Sequence, residues 1–250
     1  MSPQPLLVFD LDGVLVDGMP EYWWAARRAA QRLQPDLTLP EEAPSAFATL
    51  RPLIHKGWEM VLLAAELGRP DFDLAGSLRA YGSRLSEALA RRRWTPAELQ
   101  ESLEAVRRDG LERNPEAWLG LHRFYPGVRE RLIRLEADGV PWLVLTTKGG
   151  AFAARLLEAA ALRPEAVLGH EQGSKPEVLL ELSRGERPLW FVEDRRPTLE
   201  LVRETAGLEA VRCFLALWGY LGPGDAEGLE PLGITALSPE TFGSPLARWP

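Results

Sequence analysis

The spacing of apolar positions changes character twice along the chain. Leu6-Leu7-Val8-Phe9 is an unbroken apolar run. It predicts a strand buried on both faces, as in a parallel sheet. From Pro20 the pattern turns helical. One helix starts at Pro20-Glu21-Tyr22-Trp23-Trp24 and ends before the Pro- and Glu-rich break at 35–44. Further helices are predicted over 46–67 and 74–92. Another enters at Thr95-Pro96-Ala97-Glu98, with Thr as N-cap, Pro at N1 and Glu at N3, and runs toward Gly110. No stretch up to Arg123 reads as a strand. The strand-then-helix alternation resumes at Phe124. Strands are predicted at 142–147, 166–169, 189–192, 210–217 and 233–237. Helices are predicted at 128–138, 151–161, 176–182 and 197–206, with a closing segment at 239–249.

Strands that alternate with helices predict an α/β domain with a parallel sheet. The helical stretch interrupts that domain just after its first strand. The predicted organisation is therefore a core of residues 1–16 and 124–250 with an all-helical cap, 17–123, inserted into it. The two ends of the insert must lie close together for the sheet to form. Inserted caps of this kind can close over a site and exclude water.

Composition narrows the range of partners. The chain has 250 residues, 46% hydrophobic and 26% charged, as expected of a globular protein. Its formal net charge of −7 argues against a nucleic-acid surface. A single cysteine, Cys213, excludes an internal disulfide and fits a reducing compartment. No apolar run approaches the ~20 residues of a membrane span. The start, Met1-Ser2-Pro3-Gln4-Pro5, has no basic leader region. The expectation is a cytoplasmic protein with no nucleic-acid or membrane partner; nothing in the sequence speaks to its oligomeric state.

The candidate chemistry sits where the buried strands end. Asp10 and Asp12 follow the first strand directly, with Gly13 for a sharp turn. Thr146, Thr147 and Lys148 end the second, and Glu193 and Asp194 end a later one. Lys175 lies in the turn Gly173-Ser174-Lys175-Pro176 that opens a helix. In a parallel sheet these positions fall on one edge, where open α/β sheets bind ligands. Oxygen ligands select a hard cation such as Mg2+. Lysine, hydroxyls and loop amides suit phosphoryl oxygens, and a carboxylate beside them can act as a nucleophile.

Taken together, these residues resemble the haloacid dehalogenase-like (HAD) superfamily, in its branch with a helical cap after the first strand. Phe9-Asp10-Leu11-Asp12-Gly13-Val14-Leu15-Val16-Asp17 resembles the first motif of that family. Thr146 matches the second, Lys175 the third and Glu193-Asp194 the acidic fourth. The resemblance implies a Rossmann-like parallel core and a Mg2+-dependent phosphomonoester hydrolase acting on a small phosphorylated metabolite. It implies Asp10 as nucleophile and Asp12 as general acid, then base. Thr146 and the amides of Leu11 and Thr147 would hold phosphoryl oxygens, and Lys175 would neutralise the phosphoryl group. Mg2+ would be held by Asp10, the backbone carbonyl of Asp12 and Asp194. Glu193 stands where the family often has Gly, so it is expected either at the metal or orienting Lys175. Lys148 follows the hydroxyl motif, at a place to touch substrate.

Asp12 disfavours a dehalogenase, which needs no acid there. A sugar-phosphate mutase of the β-phosphoglucomutase type shares the same motifs, and a non-catalytic phosphate-binding regulator would share the site. His55, His122 and His170 have no zinc spacing. Taken alone, Thr146 is a hydroxyl capping a turn, and Arg91-Arg92-Arg93 a solvated face. Trp23, Trp24 and Trp58 are helix-borne aromatics that pack a core or line a pocket. Trp218-Gly219-Tyr220, after a strand, is a candidate rim of the site.

Overall fold

The computed structural model describes residues 4–250. Met1-Ser2-Pro3, read above for a leader, lies outside them. The chain divides into two compact units, one running to Asp17 and resuming at Arg123–Pro250, the other Gly18–His122.

In chain order, β1 (Leu6–Phe9) and β2 (Val16–Asp17) come first. The second unit follows as α1 (Met19–Leu33), α2 (Ser45–Leu50), α3 (Gly57–Leu67), α4 (Leu74–Arg79), α5 (Tyr81–Arg92), α6 (Pro96–Arg113) and α7 (Pro115–Leu119). The first unit resumes with β3 (Arg123–Phe124), α8 (Val128–Ala137), β4 (Trp142–Leu145) and α9 (Gly150–Ala159). It continues with β5 (Val167–Leu168), α10 (Lys175–Ser183), β6 (Leu189–Glu193) and α11 (Arg196–Glu204). It ends with β7 (Arg212–Ala216), β8 (Ile234–Leu237) and α12 (Pro239–Gly243).

Six strands form one parallel sheet in the order β5-β4-β1-β6-β7-β8. The α/β class predicted from the apolar runs is the one observed. β1 is central, and its alternation serves two cores. Leu6 and Val8 pack with Leu143, Leu145, Leu189 and Phe191 against Leu179 and Leu199 of the helices. Phe9 meets Trp142 (6.2 Å) and Phe242 (5.9 Å), and Trp249 closes on Phe242 and Phe214. The closing segment thus covers one face of the sheet, which is why β1 tolerates no polar residue before its end.

β2 and β3 lie outside this sheet. They form a two-stranded antiparallel ladder, Val16 with Phe124 and Asp17 with Arg123, at the point where the chain leaves and re-enters this unit. The strand read at Phe124 is therefore a clasp rather than part of the parallel sheet.

In the helical unit two predicted helices are each split. The 46–67 helix breaks around Pro52, which cannot continue a helical hydrogen-bond ladder. The Glu59 carboxylate then accepts from His55 N and Lys56 N and opens α3. The 74–92 helix breaks at Ala80 (φ −139°), between Gly76 and Gly82, which weaken helix propensity there. Arg91-Arg92-Arg93 is a solvated face in part: Arg91 and Arg93 are exposed, and Arg92 is the exception. Arg92 is nearly buried, donating to Glu66, Gln34 and the Ala65 carbonyl, and Arg91 also binds Glu66. Trp23 is core, edge-on to Phe47 at 5.1 Å.

α1 and α6 are joined by a buried ion pair. Arg107 donates twice to Glu21, at 2.8 Å each, and both side chains are almost wholly buried. Removing one partner strands a buried charge, whereas replacing both with apolar groups does not. Arg107→Ala is expected to cost about 3–5 kcal/mol, read as a lower denaturant midpoint. Glu21→Leu combined with Arg107→Met should recover most of that loss.

Candidate active site

Three adjacent strands end at the site. β1 delivers Asp10, β4 delivers Thr146, and β6 ends in Glu193, followed by Asp194. β1 is where the strand order reverses direction, with β4-β5 on one side and β6-β7-β8 on the other. Open α/β sheets place ligands in the crevice at such a point. α10 adds Lys175 at its first position, fixed by the Ser174–Glu177 capping box.

The side chains converge closely. Lys175 Nζ lies 2.8 Å from Asp10 Oδ1 and 2.5 Å from Glu193 Oε2. Asp10, Glu193 and Asp194 each offer a carboxylate oxygen, all within 4.8 Å of one another. Glu193 Oε1 also accepts from Arg195 N, and Asp194 Oδ2 accepts from Tyr220 N at 2.8 Å. The Asp12 carboxylate is not a member of this cluster. It faces Lys148, whose Nζ is 3.6 Å from Asp12 Oδ1. Sequence reasoning placed Lys148 at the substrate without finding this pairing, which depends on how two strand-end turns meet.

Thr146 Oγ1 accepts from Lys148 N at 3.1 Å, so it does cap its turn. Its O–H remains a donor. Thr147 is exposed. The Leu11 side chain is fully buried, so only its backbone N–H qualifies as a donor to a ligand.

The electrostatics are those of a site short of positive charge. Four buried carboxylates, Asp10, Asp12, Glu193 and Asp194, face two buried ammonium groups, Lys148 and Lys175. Two negative charges are in excess, and Asp10 Oδ1 and Asp12 Oδ1 accept no well-directed hydrogen bond. Burial, then repulsion from Glu193, pushes Asp10 up to about 7, against the pull of Lys175. For Lys175, burial opposes the charge, but Asp10 and Glu193 together outweigh it and hold its pKa above the ordinary lysine value. An all-oxygen donor set with two uncompensated charges fits a hard divalent cation.

Two glycines make the packing possible. Gly13 has φ +94°, and a Cβ there would stand 2.0 Å from Asp194 Oδ2. A Cβ on Gly219 would lie 2.3 Å from Asp194 Cβ and 2.5 Å from Gly13 O. The role of Gly219 was not legible in the sequence, because its partners are distant in the chain.

The family model of haloacid dehalogenase-like hydrolases matches residues 5–182, which include Asp10, Asp12, Thr146 and Lys175. The chain belongs to the haloacid dehalogenase-like hydrolases. Among solved structures, this HAD-like hydrolase is similar to one described as a predicted phosphatase from Clostridium acetobutylicum, at 15% identity and TM-score 0.59, covering 95% of this chain and 94% of that one. A predicted phosphoglycolate phosphatase from Haemophilus somnus is 19% identical, with TM-score 0.58 and coverage of 91% and 92%. A Thermotoga maritima protein named for a proposed β-phosphoglucomutase activity is 18% identical, with TM-score 0.53 and coverage of 96% of each chain. At these identities the likeness is one of fold. No curated protein sequence matches the chain. Among the described residues, no helix is long and apolar enough to cross a membrane.

Asp10 carries a testable pH signature in the presence of chelator. Its folded pKa of about 7 lies above the ordinary 3.8. Its contribution to stability is therefore full below about pH 4 and is lost as pH rises to about 7. Between those limits the stability of the HAD-like hydrolase should fall by a few kcal/mol relative to Asp10→Asn, measured by denaturant melts in EDTA. A pH-independent difference would contradict the burial of this carboxylate.

Proposed function

We propose that the chain is a Mg2+-dependent phosphomonoester hydrolase acting on a small phosphorylated metabolite through an aspartyl-phosphate. The observation that carries this reading is Asp10 at the tip of the central strand. It lies 2.8 Å from Lys175, within a buried carboxylate cluster, with Asp12 two residues on.

An Asp10 carboxylate oxygen attacks phosphorus as the bond to the leaving oxygen breaks. Asp12 gives its proton to that oxygen. Asp12, now ionised, takes a proton from water, and the resulting hydroxide attacks the aspartyl-phosphate. Phosphate leaves and Asp10 is regenerated. Lys175 keeps positive charge beside the nucleophile and the transferring group, while Glu193 holds Lys175 in place. The Thr146 hydroxyl and the amides of Leu11 and Thr147 donate to phosphoryl oxygens. Lys148, 3.6 Å from Asp12, would meet the leaving group as Asp12 protonates it. Asp10, Asp194, Glu193 and the Asp12 backbone carbonyl are the groups that would hold Mg2+. The bound ion supplies charge stabilisation of the transferring phosphoryl group.

The neighbours described as phosphatases support this reading, as does the need for an acid at Asp12. We take residues 17–123 as a cap that restricts substrates to small molecules. Purified protein with Mg2+ is expected to release phosphate from at least one member of a broad metabolite panel. Asp10→Asn should lower kcat by at least about 10³-fold without unfolding the protein. Isomerised sugar phosphate without free phosphate would assign a mutase instead. Tight binding of beryllium fluoride with no turnover on any substrate would assign a phosphate-binding regulator.

A further inference from the structure

The segment after β7, Trp218-Gly219-Tyr220, is fastened to the site at three points. Trp218 Nε1 donates to the Val14 carbonyl at 2.9 Å. Gly219 packs against Asp194 and the Gly13 carbonyl with no room for a side chain. Tyr220 makes two bonds of different kinds: its backbone N–H donates to Asp194 Oδ2 at 2.8 Å, and its phenol donates to Asp17 Oδ1 at 2.5 Å. Residues 194 and 17 belong to separate pieces of chain, the loop after β6 and the end of β2. One residue of a third piece ties them together.

We propose that Tyr220 is a positioning residue, whose phenol bond to Asp17 anchors the segment that holds Asp194 in its cation-binding place. The proposal rests on the reading of Asp194 as a ligand of Mg2+. The physical argument concerns freedom of motion. Asp194 Oδ2 is held by a backbone amide in an irregular segment, outside any strand or helix. Such an amide is only as fixed as the attachments on either side of it. Trp218 anchors the segment before Gly219, and the Tyr220 phenol anchors it after. Asp17 is a firm anchorage because its own backbone is laddered to Arg123. Removing the phenol oxygen leaves the Asp194 bond intact in kind but lets its donor wander. A preorganised ligand carboxylate thereby becomes a looser one.

The test measures cation binding rather than turnover. Mg2+ affinity is read by calorimetry on wild type, Tyr220→Phe, Asp17→Ala, Asp17→Asn and the double variant Tyr220→Phe/Asp17→Ala. Hydrogen exchange across 218–221 is followed in chelator. We expect Tyr220→Phe and Asp17→Ala each to weaken Mg2+ binding about three- to tenfold, as for loss of one hydrogen bond. The double variant should bind no worse than the weaker single one, since both remove the same bond. Asp17→Asn keeps an acceptor and should stay near wild type. Exchange across 218–221 should quicken in Tyr220→Phe without Mg2+. Wild-type affinity in Tyr220→Phe, or additive losses in the double variant, would overturn the proposal and leave the site reading standing. Should Tyr220→Phe fold poorly, Asp17→Ala against Asp17→Asn reads the same bond from its other end, and equal affinities there overturn the proposal. Absence of Mg2+ binding by the wild type would overturn the site reading first, and this inference with it.

Discussion

The structure turns on an excess of buried negative charge. Four carboxylates and two ammonium groups share the carboxyl edge of the central strands with little water around them. Each carboxylate alone would be costly there. Their proximity raises that cost for Asp10 in particular, which burial and Glu193 drive toward neutrality. Lys175 offsets part of it as an ion-pair partner of both Asp10 and Glu193, and Lys148 faces Asp12. What is left over matches one divalent cation. A fold that only had to be stable would not concentrate charge in this way, so the excess is the mark of a site.

The rest of the first unit keeps that arrangement from relaxing. β1 is buried on both faces, between an aliphatic layer and an aromatic one, so Asp10 cannot withdraw without disturbing either core. The parallel register puts the ends of β1, β4 and β6 side by side. Gly13 and Gly219 let three backbone segments close around Asp194 at distances a side chain would forbid. Rigidity here has a chemical purpose. Electrostatic stabilisation is effective when donors and charges stand in place before the reaction starts.

The helical unit shows a different economy. Its charges are resolved internally, Glu21 with Arg107 and Glu66 with Arg69, Arg91 and Arg92. Glu21 and Arg107 balance one to one, and Glu66 meets three guanidinium groups, so each buried carboxylate named here has its counter-charge within the unit. The contrast with the strand-end cluster separates buried charge that holds helices together from buried charge that awaits a partner.

Much of this was written in local pattern. An unbroken apolar run ending in Asp-x-Asp, a hydroxyl and lysine after a second strand, and an acidic pair after a third were enough to predict the parallel sheet. They also named Asp10, Asp12, Thr146, Glu193 and Asp194, because strand polarity sends the strand ends to one edge, while Lys175 was read from the turn that opens a helix. Helix breaks at Pro52 and Ala80 escaped the periodicity, since apolar spacing continues across them while the backbone does not. The grip of Glu193 on Lys175 was one of two places the sequence left open for that carboxylate, and the pairing of Lys148 with Asp12 and the seat that Gly219 and Tyr220 make for Asp194 were beyond it. Each joins residues between 18 and more than 130 positions apart in the chain. Which of several lysines and acids meet is decided by the turn geometry after each strand, and no periodicity along the chain encodes it.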